Sequence, residues 1–131
     1  MARRRTEMLT DVELELMIAL WKIKSGTVRE VMAALSDETS RAYTSIATMM
    51  KILEDKGYAK SERRERTLYY APAVQKSDYE GRSLKNLSNA LFGGTPTALV
   101  ARLVDDGELT EEMIQEIKKI IDTRIKKDDS S

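Results

Sequence analysis

Apolar residues recur at helical spacing along most of the chain, and polar turns interrupt them at regular intervals. Thr10, with Glu13 three residues on, marks a capping box opening a helix over roughly 11–22. Its spacing turns Val12 or Leu14, Leu16 or Met17, Leu20 and Trp21 inward. Ser25-Gly26 breaks that helix, and Thr27 with Glu30 caps a second one whose apolar side is Val28, Val31, Met32 and Leu35. A polar turn over 36–39 leads into Ser40–Gly57, a predicted helix over 40–56 that Gly57 stops. Ile46, Met49 or Met50, and Leu53 share one face of it.

The opposite face carries Arg41, Tyr43, Thr44, Ala47, Thr48 and Lys51, with Ser45 beside them. Small hydroxyls, one aromatic ring and two cations suit entry into a major groove, where base edges and phosphates need hydrogen-bonding groups without bulk. An ordinary surface helix rich in Ser and Thr fits the same stretch. Next come two strand-like runs, Tyr58–Glu62 and Thr67–Ala71, around an Arg-rich turn of roughly four residues that lacks an Asn-Gly signal. Three short helices followed by a basic-tipped hairpin predict a winged helix-turn-helix, with Arg63, Arg64 and Arg66 reaching phosphates or the neighbouring minor groove. A solvated hairpin whose Arg and Glu residues pair with each other is the plainer reading of the same residues.

Beyond Pro72 the period is helical again. A fourth helix over 75–92 offers Tyr79, Leu84, Leu87 and Leu91, and Gly93-Gly94 stops it. Thr95-Pro96 opens a short fifth helix, Ala98–Asp105, containing Leu99 and Leu103. Thr110 caps a sixth, over 111–126, with Met113 or Ile114, Ile117, Ile120 or Ile121, and Ile125 as its stripe. Three such helices form a small core by themselves, and burying their apolar faces across a two-fold would solve that. Packing back onto the winged domain of the same chain is the alternative. The expected fold is therefore mainly α with a small β wing. A DNA-binding domain spans 1–73, including a basic arm over 1–8; a helical dimerisation domain spans 74–127, and 128–131 is a tail.

Composition narrows the chemistry. The chain has 131 residues, no cysteine and no histidine. Disulfides and thiolate or imidazole metal sites drop out, and with them Ser-His and Cys-His catalysis, so no cofactor, no metal and no enzyme are expected. Formal net charge is zero, yet residues 1–70 hold 13 cations against 11 acids and residues 71–131 hold 9 against 11. Polyanion contact therefore belongs to the first half. Arg3, Arg4 and Arg5 are followed by no apolar run of signal-peptide or spanning length, so the expectation is a cytoplasmic protein with no membrane partner.

The quoted stretches also resemble a known group, the penicillinase-repressor (BlaI/MecI/CopY) family. The resemblance rests on Leu9-Thr-Asp-Val-Glu-Leu-Glu-Leu-Met-Ile-Ala-Leu-Trp21, Thr27-Val-Arg-Glu-Val31, Ala42 to Gly57 and Tyr69-Tyr-Ala-Pro72. Ala98-Leu-Val-Ala-Arg-Leu-Val104 and the final helix resemble the family's dimerisation segment, so the match covers about residues 8–122. It implies a homodimeric repressor on a palindromic double-stranded operator. Tyr43, Thr44 and Thr48 would read bases, with Arg41, Ser45 and Lys51 nearer the backbone. Leu87, Leu91, Leu99, Leu103, Met113, Ile114, Ile117, Ile120 and Ile121 would form the dimer seam. Members that respond to copper use C-terminal cysteine pairs, which this chain lacks. Members that respond to β-lactams are cleaved by a regulatory protease or sensor system at an Asn-Phe bond. The corresponding pair here, Arg102-Leu103, is a candidate cleavage site of different chemistry. A non-catalytic protein-interaction module on the same scaffold is the competing functional reading.

Overall fold

The computed structural model describes residues 8–36 and 41–129, excepting the side chains of 126–129. Arg3, Arg4 and Arg5 of the expected arm, and Ser40 at the expected start of the third helix, lie outside the described residues. In chain order the elements are α1 (Asp11–Ile23), α2 (Val28–Ala34), α3 (Tyr43–Asp55), β1 (Ala59–Arg64), β2 (Thr67–Pro72), α4 (Lys76–Leu91), α5 (Pro96–Asp105) and α6 (Glu111–Asp129). This is mainly α with one antiparallel hairpin, as expected.

Both N-terminal capping boxes form. The Thr10 and Thr27 side chains accept from the backbone N–H of Glu13 and Glu30, whose carboxylates accept from the caps' own N–H. The reciprocal bonds satisfy donors that a helix start otherwise leaves to water, which fixes where α1 and α2 begin. Leu16 and Met17 are both fully buried, and Met50 rather than Met49 joins Ile46 and Leu53 in the core. Val31, Tyr58 and Tyr70 complete a centre to which α1, α2, α3 and both strands contribute.

Two compact units divide between Ser83 and Leu84, later than the boundary expected at residue 73. The reason is visible in the first half of α4. Tyr79 is buried against Trp21 and edge-on to Tyr58, its hydroxyl accepts from the Leu9 N–H, and Trp21 Nε1 donates to the Val74 carbonyl at 2.8 Å. An aromatic ring with a polar handle gains from burial only where that handle finds a partner, and these do. The start of α4 is thereby part of the winged unit.

The second unit is built differently. Among its described residues Ser88 alone is buried, and α5 buries none. Leu84, Leu87, Leu91, Val100, Leu103, Val104, Met113, Ile120, Ile121 and Ile125 are all exposed in the single chain, while Leu99, Ile114 and Ile117 are half-buried. α5 begins at Pro96 rather than at Ala98, because proline fits the first helical position. α6 continues to Asp129, through the first two residues of the expected tail.

Candidate nucleic-acid interface

Helix α3 starts later than the pattern suggested. Ala42 is its N-cap, in extended conformation, so Arg41 precedes the helix and is exposed there. Tyr43, Thr44, Ser45, Thr48 and Lys51 are all exposed on it, and Ala47 is half-buried between them. The apolar face of α3 is consumed by the core, so this polar face is what remains outward. Thr48 donates its hydroxyl to the Thr44 carbonyl at 2.9 Å. The donor is therefore committed to the helix, and what Thr48 offers outward is its methyl group and oxygen lone pairs.

The rear of α3 is tied down. Lys56, its C-cap, donates to both carboxylate oxygens of Glu13 at 2.9 and 2.8 Å, and both side chains are almost wholly enclosed. Burial alone would push the Glu13 carboxyl up. The Lys56 ammonium and the Thr10 N–H and hydroxyl outweigh it and hold the group below its ordinary value. One carboxylate thus serves the capping box of α1 and the last turn of α3 together. Burial chiefly, with Glu54 nearby, raises the Tyr70 hydroxyl in the adjoining strand.

The hairpin also departs from expectation. Arg64 pairs with Thr67, leaving a two-residue turn, Glu65-Arg66, in place of four. Such a tight turn demands a left-handed residue, and Glu65 takes φ 58 without the help of Asn or Gly. Arg63 and Arg64 are consequently strand residues on opposite faces of β1. Arg63 lines the groove toward α3 and donates to the Arg66 carbonyl. Arg64 turns the other way, pairing with Glu62 at 3.0 Å and stacking 4.8 Å from the Tyr69 ring centroid. The three arginines, equivalent in the sequence pattern, are separated by register.

Gly26 sets the hairpin against the helices. It exchanges two backbone hydrogen bonds with Tyr70, at 2.9 and 2.8 Å, adding a one-residue third strand beside β2. A Cβ there would stand 2.9 Å from Ile23 Cδ1 and 3.1 Å from Glu30, so a larger residue would require both side chains, one of them in the second capping box, to shift. The space enclosed by α2, α3 and the hairpin is an open groove of about 560 Å³. Among the described residues its lining includes Arg29, Lys51, Arg63 and Arg66 and no carboxylate. Arg29 is a residue that the helical pattern did not single out. Its guanidinium lies 4.7 Å from the centroid of the Tyr43 ring. The signal available in the sequence was only its place in the first turn of a capped helix.

The dimerisation and cleavage expectations fall elsewhere. The described residues include no cluster of acids able to hold a metal, and no helix long and apolar enough to cross a membrane. Arg102 and Leu103 lie inside α5, both exposed, with Arg102 3.4 Å from Asp106.

A family model described as penicillinase repressor matches residues 9–123. A penicillinase repressor of Bacillus licheniformis is 28% identical over 119 residues, 91% of this chain and 93% of the relative. The methicillin resistance regulatory protein MecI of Staphylococcus aureus is 22% identical over 120 residues, 92% of this chain and 98% of that protein. Among solved structures, the DNA-binding domain of the repressor BlaI matches with a TM-score of 0.50 and 32% identity, covering 58% of this chain and 93% of that domain. The chain belongs to the penicillinase repressor family.

Proposed function

We propose that this protein is a non-catalytic transcriptional repressor that binds a palindromic DNA operator as a homodimer. The observation that carries the reading is the groove: among the described residues, four cations and no carboxylate line it, in a chain whose formal net charge is zero. Local concentration of one sign is what a polyanion requires, whatever the sum over the chain. The family match and the likeness to the BlaI DNA-binding domain support the same reading. In it, α3 enters the major groove with Tyr43, Thr44 and Thr48 toward base edges, and Arg41, Ser45 and Lys51 toward the backbone. Arg63 and Arg66 of the wing meet phosphates or the adjacent minor groove. Arg64, neutralised by Glu62 on the far face, contributes little.

The homodimer is proposed from the second unit. Its exposed leucines and isoleucines recur at helical spacing on α4, α5 and α6, an apolar surface that a second copy would cover. Two copies related by a two-fold would meet two half-sites of inverted sequence, hence the palindrome. Gel shifts test the reading: a promoter duplex bound in preference to random DNA at physiological salt, with affinity falling steeply as salt rises. Equal binding to all sequences would sink it. Thr48→Ala is expected to cost roughly 1 kcal/mol of operator discrimination by removing the outward methyl. Thr48→Val, which keeps a methyl there, separates methyl contact from hydroxyl contact.

A further inference from the structure

We infer that Arg29 is a positioning residue of the DNA interface, holding the Tyr43 ring at its working angle while its own N–H edge binds a backbone phosphate. The inference rests on the DNA-binding reading above. Arg29 is exposed in the first turn of α2, and its guanidinium stacks on Tyr43 in the first turn of α3. Stacking occupies the flat face of a guanidinium and leaves its five N–H groups pointing outward in the plane. One side chain can therefore grip the ring and a phosphate oxygen together, which the point charge of a lysine cannot.

Its backbone is held from two sides. The Thr27–Glu30 capping box fixes the turn in which Arg29 sits, and the paired Gly26–Tyr70 bonds fix that turn to the wing. Lys51, Arg63 and Arg66 line the same groove, so a phosphate approaching Arg29 meets, among the described residues, charges of one sign. Tyr43 has two rotatable bonds and is 42% exposed, so without a stacked neighbour its ring would sample several orientations. A fixed ring, by contrast, meets a base edge at one angle, which makes it a source of discrimination.

The test uses the full chain and two probes: a duplex enriched from a random-sequence library by the wild-type protein, and a random duplex of equal length. Affinity is measured against salt concentration for wild type, Arg29→Gln, Arg29→Lys, Tyr43→Leu and Tyr43→Leu with Arg29→Lys. Thermal melts accompany each variant, and matching melts exclude a folding defect. Arg29→Gln is expected to reduce the slope of log affinity against log salt by about 0.9 per protomer on both probes. Arg29→Lys is expected to keep that slope but shrink the preference for the enriched duplex about tenfold. In the Tyr43→Leu background Arg29→Lys should shrink it no further, since coupled residues are not additive. Full preference retained by Arg29→Lys, or an equal further loss in that background, would overturn the positioning role. An unchanged slope for Arg29→Gln would overturn the phosphate contact. A wild-type chain that enriches no duplex at all would overturn the DNA-binding reading and this inference with it.

Discussion

The two units of this chain spend similar residues in opposite ways. In the first, leucine, isoleucine, methionine and tyrosine from α1, α2, α3, the start of α4 and two strands are buried around one centre. In the second, comparable residues at equally regular spacing stay exposed: Leu91 is 70% exposed, whereas Leu53, on α3, is 0%. Hydrophobic periodicity therefore marks an apolar face without saying whether the chain itself covers it. The winged unit covers its own, because three helices, two strands and the start of α4 converge on it. Among the described residues the second unit has no comparable centre, and the stripes of its helices stay exposed in the single chain.

The difference can be broken most directly by cavity formation. Leu53→Ala is expected to cost the winged unit about 2–5 kcal/mol, because neighbours collapse only partly onto a vacated core site. Leu91→Ala should leave the melting of that unit unchanged, and calorimetry of both variants checks the pair. A smaller effect on folding but a large one on assembly is expected of Ile117→Asp, which sets a charge in the apolar stripe of α6. Sedimentation should show monomers while the aromatic signal of Trp21 and its tyrosine neighbours persists. A dimer surviving this change would refute the assigned seam.

Next in size is Glu13→Gln. It keeps an acceptor for the cap but deprives Lys56 of its enclosed counter-charge, for a loss of about 1–3 kcal/mol. The pH dependence has a definite sign. Because Glu13 is held below its ordinary value in the folded state, the ionised carboxylate stabilises the fold at neutral pH. That contribution fades as pH falls from the ordinary glutamate value through the lower folded one. Denaturant melts across this acid range should therefore converge for wild type and Glu13→Gln. The smallest effect is expected of Glu65→Asn at the wing tip. Asn tolerates the left-handed conformation that Glu65 adopts, so a gain of up to about 1 kcal/mol is expected by thermal melting.

Much of the fold was legible in the sequence, and the departures from it have identifiable causes. Thr10, Glu13, Thr27 and Glu30 announced two helix starts because capping is local chemistry within four residues. The start of α3 was misplaced because Ala42 has no side-chain cap to announce it. The wing was legible as strand, turn, strand, but its register was not. Arg63 and Arg64, expected in the turn, are drawn into β1 by the Arg64–Thr67 pairing, and successive strand residues face opposite ways, Arg63 toward α3 and Arg64 away. Arg29 is not legible in the local pattern, because its partner, Tyr43, lies on another helix and nothing in either stretch links them.

By itself, then, the sequence determined the order and kind of elements, the exclusion of thiol and imidazole chemistry, and the polar face of Ser40–Gly57. Those follow from periodicity and composition, which act over a few turns of chain. Tertiary structure decided which arginines share the groove, that Glu13 holds the C-terminal end of α3 through Lys56, and that the first half of α4 belongs to the winged unit. Each depends on residues far apart in the chain being brought within a few ångströms, and only the folded packing fixes those distances.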